Sequence, residues 1–121
     1  MEYSEITDEI KTLWLQTFEL KSLDEIYIPK HDNSIKYALQ GKEVHLTNGS
    51  LKKLAQKNRA QYIPQIREVL DMPEAIIRHE GSLIFMMKLN EKIDFTSVGW
   101  EFDEKIVIVS NAPKRKKHNY K

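Results

Sequence analysis

The sequence predicts an α+β domain, with N-terminal helices packed on one face of a four-stranded or slightly larger antiparallel sheet. Three observations predict it. Up to about position 70, apolar residues recur at helical spacings of three and four. From Ala75 onward they fall into four extended runs separated by short polar turns. No linker or internal repeat divides the chain, so residues 1–112 are expected to fold as one unit and residues 113–121 to form a basic, flexible tail.

Each element follows from local chemistry. Ser4 and Thr7 offer capping oxygens, and Ile6, Ile10, Leu13, Trp14 and Phe18 line one face, which predicts an amphipathic helix over about 5–20. Glu25 to Pro29 alternates polar and apolar residues and stops at proline, the pattern of a short edge strand. Ser34 to Gln40 reads as one or two helical turns closed by Gly41, and Glu43 to Leu46 as another extended piece. Thr47-Asn48-Gly49-Ser50 leads into a helix over 51–61, and Pro64 opens a second one ending before Met72-Pro73. Strands are expected over 75–79, 83–89, 95–102 and 105–112. Thr96, Val98, Trp100 and Phe102 share one face of their strand, and Ile106, Ile108, Ser110 and Ala112 one face of the last. Trp100, Phe102, Ile106 and Ile108 are therefore expected beneath the helices.

Composition removes several classes of function. A chain of 121 residues, 40% hydrophobic and without cysteine, has enough for one modest core but no disulfide framework, thiolate zinc site or cysteine nucleophile. Leu83 to Met87, the longest apolar run, is too short to span a bilayer, and the acidic opening is unlike a signal peptide, so a cytoplasmic protein without a membrane partner is expected. There is no phosphate-binding glycine loop, His-Glu-x-x-His, calcium loop or serine elbow, and the four histidines show no metal-ligand spacing. Neither metal nor cofactor is expected.

The net charge of +1 conceals strong segregation. Residues 42–67 hold Lys42, Lys52, Lys53, Lys57, Arg59 and Arg67 against Glu43 alone, and residues 113–121 carry Lys114, Arg115, Lys116, Lys117 and Lys121 with no acid. The blocks 1–41 and 68–112 are acidic. If the fold brings the two basic blocks together, they form a surface suited to a polyanion.

On a helical wheel Asn58 falls among Leu51, Leu54, Ala55 and Tyr62, so its amide is expected to face the sheet. The succession Val44-His45-Leu46-Thr47, Ser50-Leu51-Lys52-Lys53-Leu54-Ala55-Gln56-Lys57-Asn58, Tyr62 to Glu74, and a meander ending Val107-Ile108-Val109-Ser110 resembles the phage-associated barnase/EndoU/colicin/RelE-like nucleases over residues 43–112. The resemblance implies a metal-independent endoribonuclease of prophage or toxin type, its site built from a helix and the sheet, with RNA as substrate and a neutralising or phage protein as partner. That family's helix commonly ends Lys-His or Arg-His, whereas this one has Lys57-Asn58, and an amide cannot act as a general base.

The site implied by the resemblance comprises Lys53, Lys57, Asn58, Arg78, His79 and Ser110, with Lys52, Arg59, Lys114, Arg115, Lys116 and Lys117 on the nucleic-acid backbone. His45 and His79 are the proton-transfer candidates; alternatively Lys53, Lys57, Arg59 and Arg78 carry the chemistry with little help from histidine. Each has a plainer role: Lys53 and Lys57 as a solvated helix flank, Asn58 as a loop cap, Ser110 as a small strand residue, the tail as solvated charge. Trp100 belongs to the core or offers a base-stacking platform. The rival function is a non-catalytic member of the same fold that binds nucleic acid or protein, and a small-molecule binder would require a closed apolar pocket.

Overall fold

The computed structural model describes residues 6–116. The order is α1 (Asp8–Phe18), α2 (Asn33–Ala38), β1 (Glu43–His45), α3 (Asn48–Gln56), a 3-10 turn (Ala60–Tyr62), α4 (Ile63–Asp71), β2 (Ala75–His79), β3 (Ser82–Lys88), β4 (Ile93–Glu101) and β5 (Lys105–Arg115). The expected α+β arrangement is present, with the antiparallel β2–β5 meander extended by β1, which runs parallel to β5. The strand order is β1-β5-β4-β3-β2.

Helix starts follow their capping chemistry. Thr7, Asp32 and Thr47 accept backbone N–H groups at the starts of α1, α2 and α3. In α4, Pro64 occupies the first turn, where a missing N–H is harmless. α1 buries Trp14 and Phe18 against α4, and α4 buries Ile63, Ile66, Val69 and Leu70 over β3 and β4. Arg67 ties the two helices, donating to the Thr17 carbonyl and pairing with Glu19 and Asp71. α3 lies over β5.

Two expectations are corrected. Glu25 to Pro29 is not a strand: only a bridge between Tyr27 and Leu46 forms. β1 is three residues long and gives it little to pair with, while the Tyr27 ring turns into the core against Phe18 and its hydroxyl donates to Asp71 at 2.6 Å. Burial and that acceptor push the Tyr27 phenol well above its ordinary range.

The second correction concerns β4. Ile106 and Ile108 are buried as expected, but Trp100 and Phe102 are 51% and 52% exposed. The helices cover the alternate set, Phe95, Ser97 and Gly99. The small residues leave room that β5 uses: a Cβ on Gly99 would lie 2.6 Å from Ile106 Cγ2. The heavier apolar set is thus left on the uncovered face.

β5 also departs from simple alternation. Val98 pairs with Ser110 but Gly99 pairs with Ile108, so Val109 is an extra residue and the strand bulges there. Beyond the bulge the facing residues swap: Asn111, opposite buried Ser97, turns inward, and Ser110, expected to share a face with Ile108, is exposed. The strand continues to Arg115, past the boundary expected at residue 112.

Candidate functional site

α3 crosses β5 at the bulge, where β1 has already ended. Two α3 side chains clamp the bulged backbone: the Ser50 hydroxyl donates to the Ile108 carbonyl at 3.4 Å and Lys53 Nζ to the Val109 carbonyl at 2.7 Å. Between helix and strand lies a small cleft with about 50 Å³ of space accessible to water, lined by Ser50, Lys53, Leu54, Lys57, Arg59, Ser110 and Asn111.

The end of α3 explains why three cations meet here. Asn58 adopts a left-handed conformation (φ 57°), its N–H bonding the Ala55 carbonyl and the Arg59 N–H returning to Leu54 at 2.8 Å. This is the Schellman stop, in which the left-handed residue follows the last helical turn and asparagine is tolerated better than most non-glycine residues. The reversal places Arg59 back beside Leu54 and along the same cleft as Lys53 and Lys57. Asn58 itself is exposed, so the expectation that it faces the sheet is corrected: the helix ends at Gln56, and a wheel drawn through position 58 extends a periodicity that has stopped.

Among the described residues neither Lys57 nor Arg59 has an ion-pair partner, and Lys53 binds a neutral carbonyl. Among the described residues no carboxylate or imidazole lines the cleft. Its floor includes Asn111, only 4% exposed, whose Oδ1 accepts the hydroxyl of fully buried Ser97 at 2.6 Å. Among the described residues the Asn111 Nδ2 has no acceptor.

Other expected site residues lie elsewhere. Arg78 is on edge strand β2, three strand spacings from β5, or about 14 Å. It makes a two-bond contact with Glu101, which also binds Lys42 at 2.7 Å. Arg78 first and Lys42 second hold the Glu101 carboxyl down at about 2. His79 is exposed at the β2–β3 turn near Glu80, and His45 contacts Glu43. Lys52 lies on α3 outside the cleft lining, Lys114 and Arg115 are exposed on β5, and Lys116 sits 3.6 Å from Asp94. Lys117 lies outside the described residues.

Sequence reasoning missed Ser50 and Asn111. The signal that was present is the Ser110-Asn111 pair interrupting a strand otherwise rich in Ile and Val. What was not visible is the bulge that turns the second of them inward.

A cationic cleft thus lies between a helix and the last strand of an antiparallel meander, and no helix among the described residues is long and apolar enough to cross a membrane. The chain belongs to the family described as phage-Barnase-EndoU-ColicinE5/D-RelE like nuclease2, whose model matches residues 13–121. The comparisons with curated proteins and with solved structures give no match.

Proposed function

We propose that the domain binds the backbone of single-stranded RNA in the α3–β5 cleft and cleaves it slowly without a metal ion. The observation carrying this reading is that Lys53, Lys57, Arg59 and Ser110 converge on one cleft although helix and strand lie some fifty residues apart. In the reaction the ribose 2′-oxygen bonds to the adjacent phosphorus and the P–O5′ bond breaks, leaving a 2′,3′-cyclic phosphate and a free 5′-hydroxyl. Lys53 and Arg59 hold the charge that builds on the phosphorane oxygens, and Ser110 donates a hydrogen bond to phosphate or ribose. Lys57 gives a proton to O5′ and regains one from solvent. The 2′-hydroxyl proton passes to water, since among the described residues no imidazole or carboxylate stands in the cleft to take it.

That last feature favours the second reading, a non-catalytic nucleic-acid-binding module, and one experiment separates the two. The full chain is incubated with 5′-labelled oligoribonucleotide and EDTA, and products are resolved by length and end group. Slow cleavage to cyclic phosphate ends, falling about 10²- to 10³-fold in Lys57→Ala, supports the enzyme. Binding without product supports the module. The Lys57→Ala/Arg59→Ala double variant should bind more weakly, with a salt slope shallower by about 0.7 for each phosphate it no longer neutralises. An unchanged slope removes the cleft from either reading.

A further inference from the structure

We infer that Asn111 is a phosphate-contacting residue, its amide N–H donating to a phosphoryl oxygen held in the cleft. This rests on reading the α3–β5 cleft as a phosphate site. Three buried side-chain atoms among the described residues lack a hydrogen-bond partner: Trp14 Nε1, Gln65 Oε1 and Asn111 Nδ2. Only the last belongs to a residue lining this cleft. A buried donor without an acceptor costs about 1–3 kcal/mol, and most buried polar groups avoid that cost.

The surroundings keep Asn111 from relieving it alone. The Ser97 hydroxyl fixes Oδ1 from beneath, which sets the amide plane, and the Val109 bulge holds the residue inward. Lys57 and Arg59, without acidic partners among the described residues, draw an anion to the same cleft. The cations act over distance and tolerate displacement; a planar amide locked by a buried serine acts only at contact and selects one oxygen. Among common biological anions the phosphoryl group supplies several acceptor oxygens on one centre, so it can meet the amide and the cations together.

The test is fluorescence anisotropy of the full chain with fluorescein-labelled oligouridylate and with the matching deoxy oligomer, over a range of salt. Asn111→Ala should weaken both complexes about 10- to 100-fold and leave the salt slope unchanged, because a neutral donor displaces no counterion. Ser97→Ala/Asn111→Leu replaces the polar pair with apolar groups, and it should lose the same affinity while unfolding at the same or a higher urea concentration than the natural chain. An indispensable structural pair would instead lower that midpoint. Unchanged affinity in both variants, with a reduced slope in Lys57→Ala/Arg59→Ala, overturns the assignment and leaves the phosphate cleft standing. Loss confined to the ribo oligomer also overturns it, by moving the contact to the 2′-oxygen. If the lysine–arginine variant binds with the natural affinity and slope, both readings fall.

Discussion

Two groups of basic side chains sit at different places on one sheet, and their surroundings differ more than their composition. At one end of the sheet, Arg78 on β2 and Lys42 just before β1 converge on Glu101 of β4, each within hydrogen-bond distance of its carboxylate. At the β5 bulge, Lys53, Lys57 and Arg59 converge on a cleft with no carboxylate among the described residues. The first group is a closed internal network whose charges already have a partner; the second has no acidic partner among the described residues. The comparison teaches that a cation's availability depends on the counter-charge the fold brings to it, and Arg78 and Lys57 are alike in the sequence on that point.

The strongest way to break the comparison is through Gly99, whose missing side chain lets Ile106 and Ile108 pack beneath α3. An alanine Cβ there would stand 2.6 Å from Ile106 Cγ2 and 3.2 Å from both Ile108 Cδ1 and the Val107 carbonyl oxygen. Ile106 is fully buried and has nowhere to retreat. Gly99→Ala is therefore expected to destabilise by about 1–3 kcal/mol, with β5 moving away from β4 near the bulge. Thermal unfolding measures the loss, at roughly 4 °C per kcal/mol. Amide exchange should locate it: faster at Val107 to Asn111, little changed at Ile76 to Arg78. Equal acceleration on both strands would mean that the two ends respond as one body.

How much of this was legible in sequence follows the range of the interactions. Periodicity and capping residues marked the helices, because a helix is specified within a few residues of itself. The meander was visible from its turns. The inward face of β4 was not, since the choice between Trp100 and Gly99 depends on Ile106 and on helices far away in the chain. β1 was recognised as extended, but its parallel pairing with β5 joins segments about sixty residues apart. The site was partly legible: Lys53, Lys57, Arg59 and Ser110 do share a cleft, whereas Arg78 and His79 do not join it. Asn58 shows how the reading failed, because a wheel assumes a helix and this residue is where the helix stops.

That stop gives a second, smaller prediction at the cleft end. Because Asn58 is left-handed and its reversal returns Arg59 to Leu54, Asn58→Gly should leave stability within a few tenths of a kcal/mol of the natural chain. Asn58→Val, β-branched at φ 57°, should cost about 1–2 kcal/mol. If Arg59 contributes through its placement, the valine variant should also lose RNA affinity and the glycine variant should keep it. Measurement of unfolding and anisotropy on both variants checks this; equal affinity in the two would separate Arg59 from the helix stop.

The smallest expected effect sharpens the contrast from the other end, through pH. Glu101 is held near 2 in the folded protein by Arg78 and Lys42, against an ordinary value of 4.5 when unfolded. A carboxyl whose pKa is lowered by folding contributes its full stability above the unfolded value and loses it as pH falls through the folded one. The Arg78–Glu101–Lys42 network should therefore stabilise the domain fully above about pH 4.5 and progressively less down toward pH 2. Urea unfolding at pH 6 and pH 3 should show a smaller acid loss in Glu101→Gln than in the natural chain, and Arg78→Ala should share that flattening. Lys57→Ala/Arg59→Ala should keep the natural acid loss, because among the described residues no carboxylate in the cleft depends on those cations. The network carries a pH signature because its counter-charge is internal; on the proposal that the cleft takes a phosphate, its signature lies in salt. If the cleft variant flattened the acid limb as Glu101→Gln does, the two groups would be coupled through the sheet and the distinction between a closed network and an open one would fail.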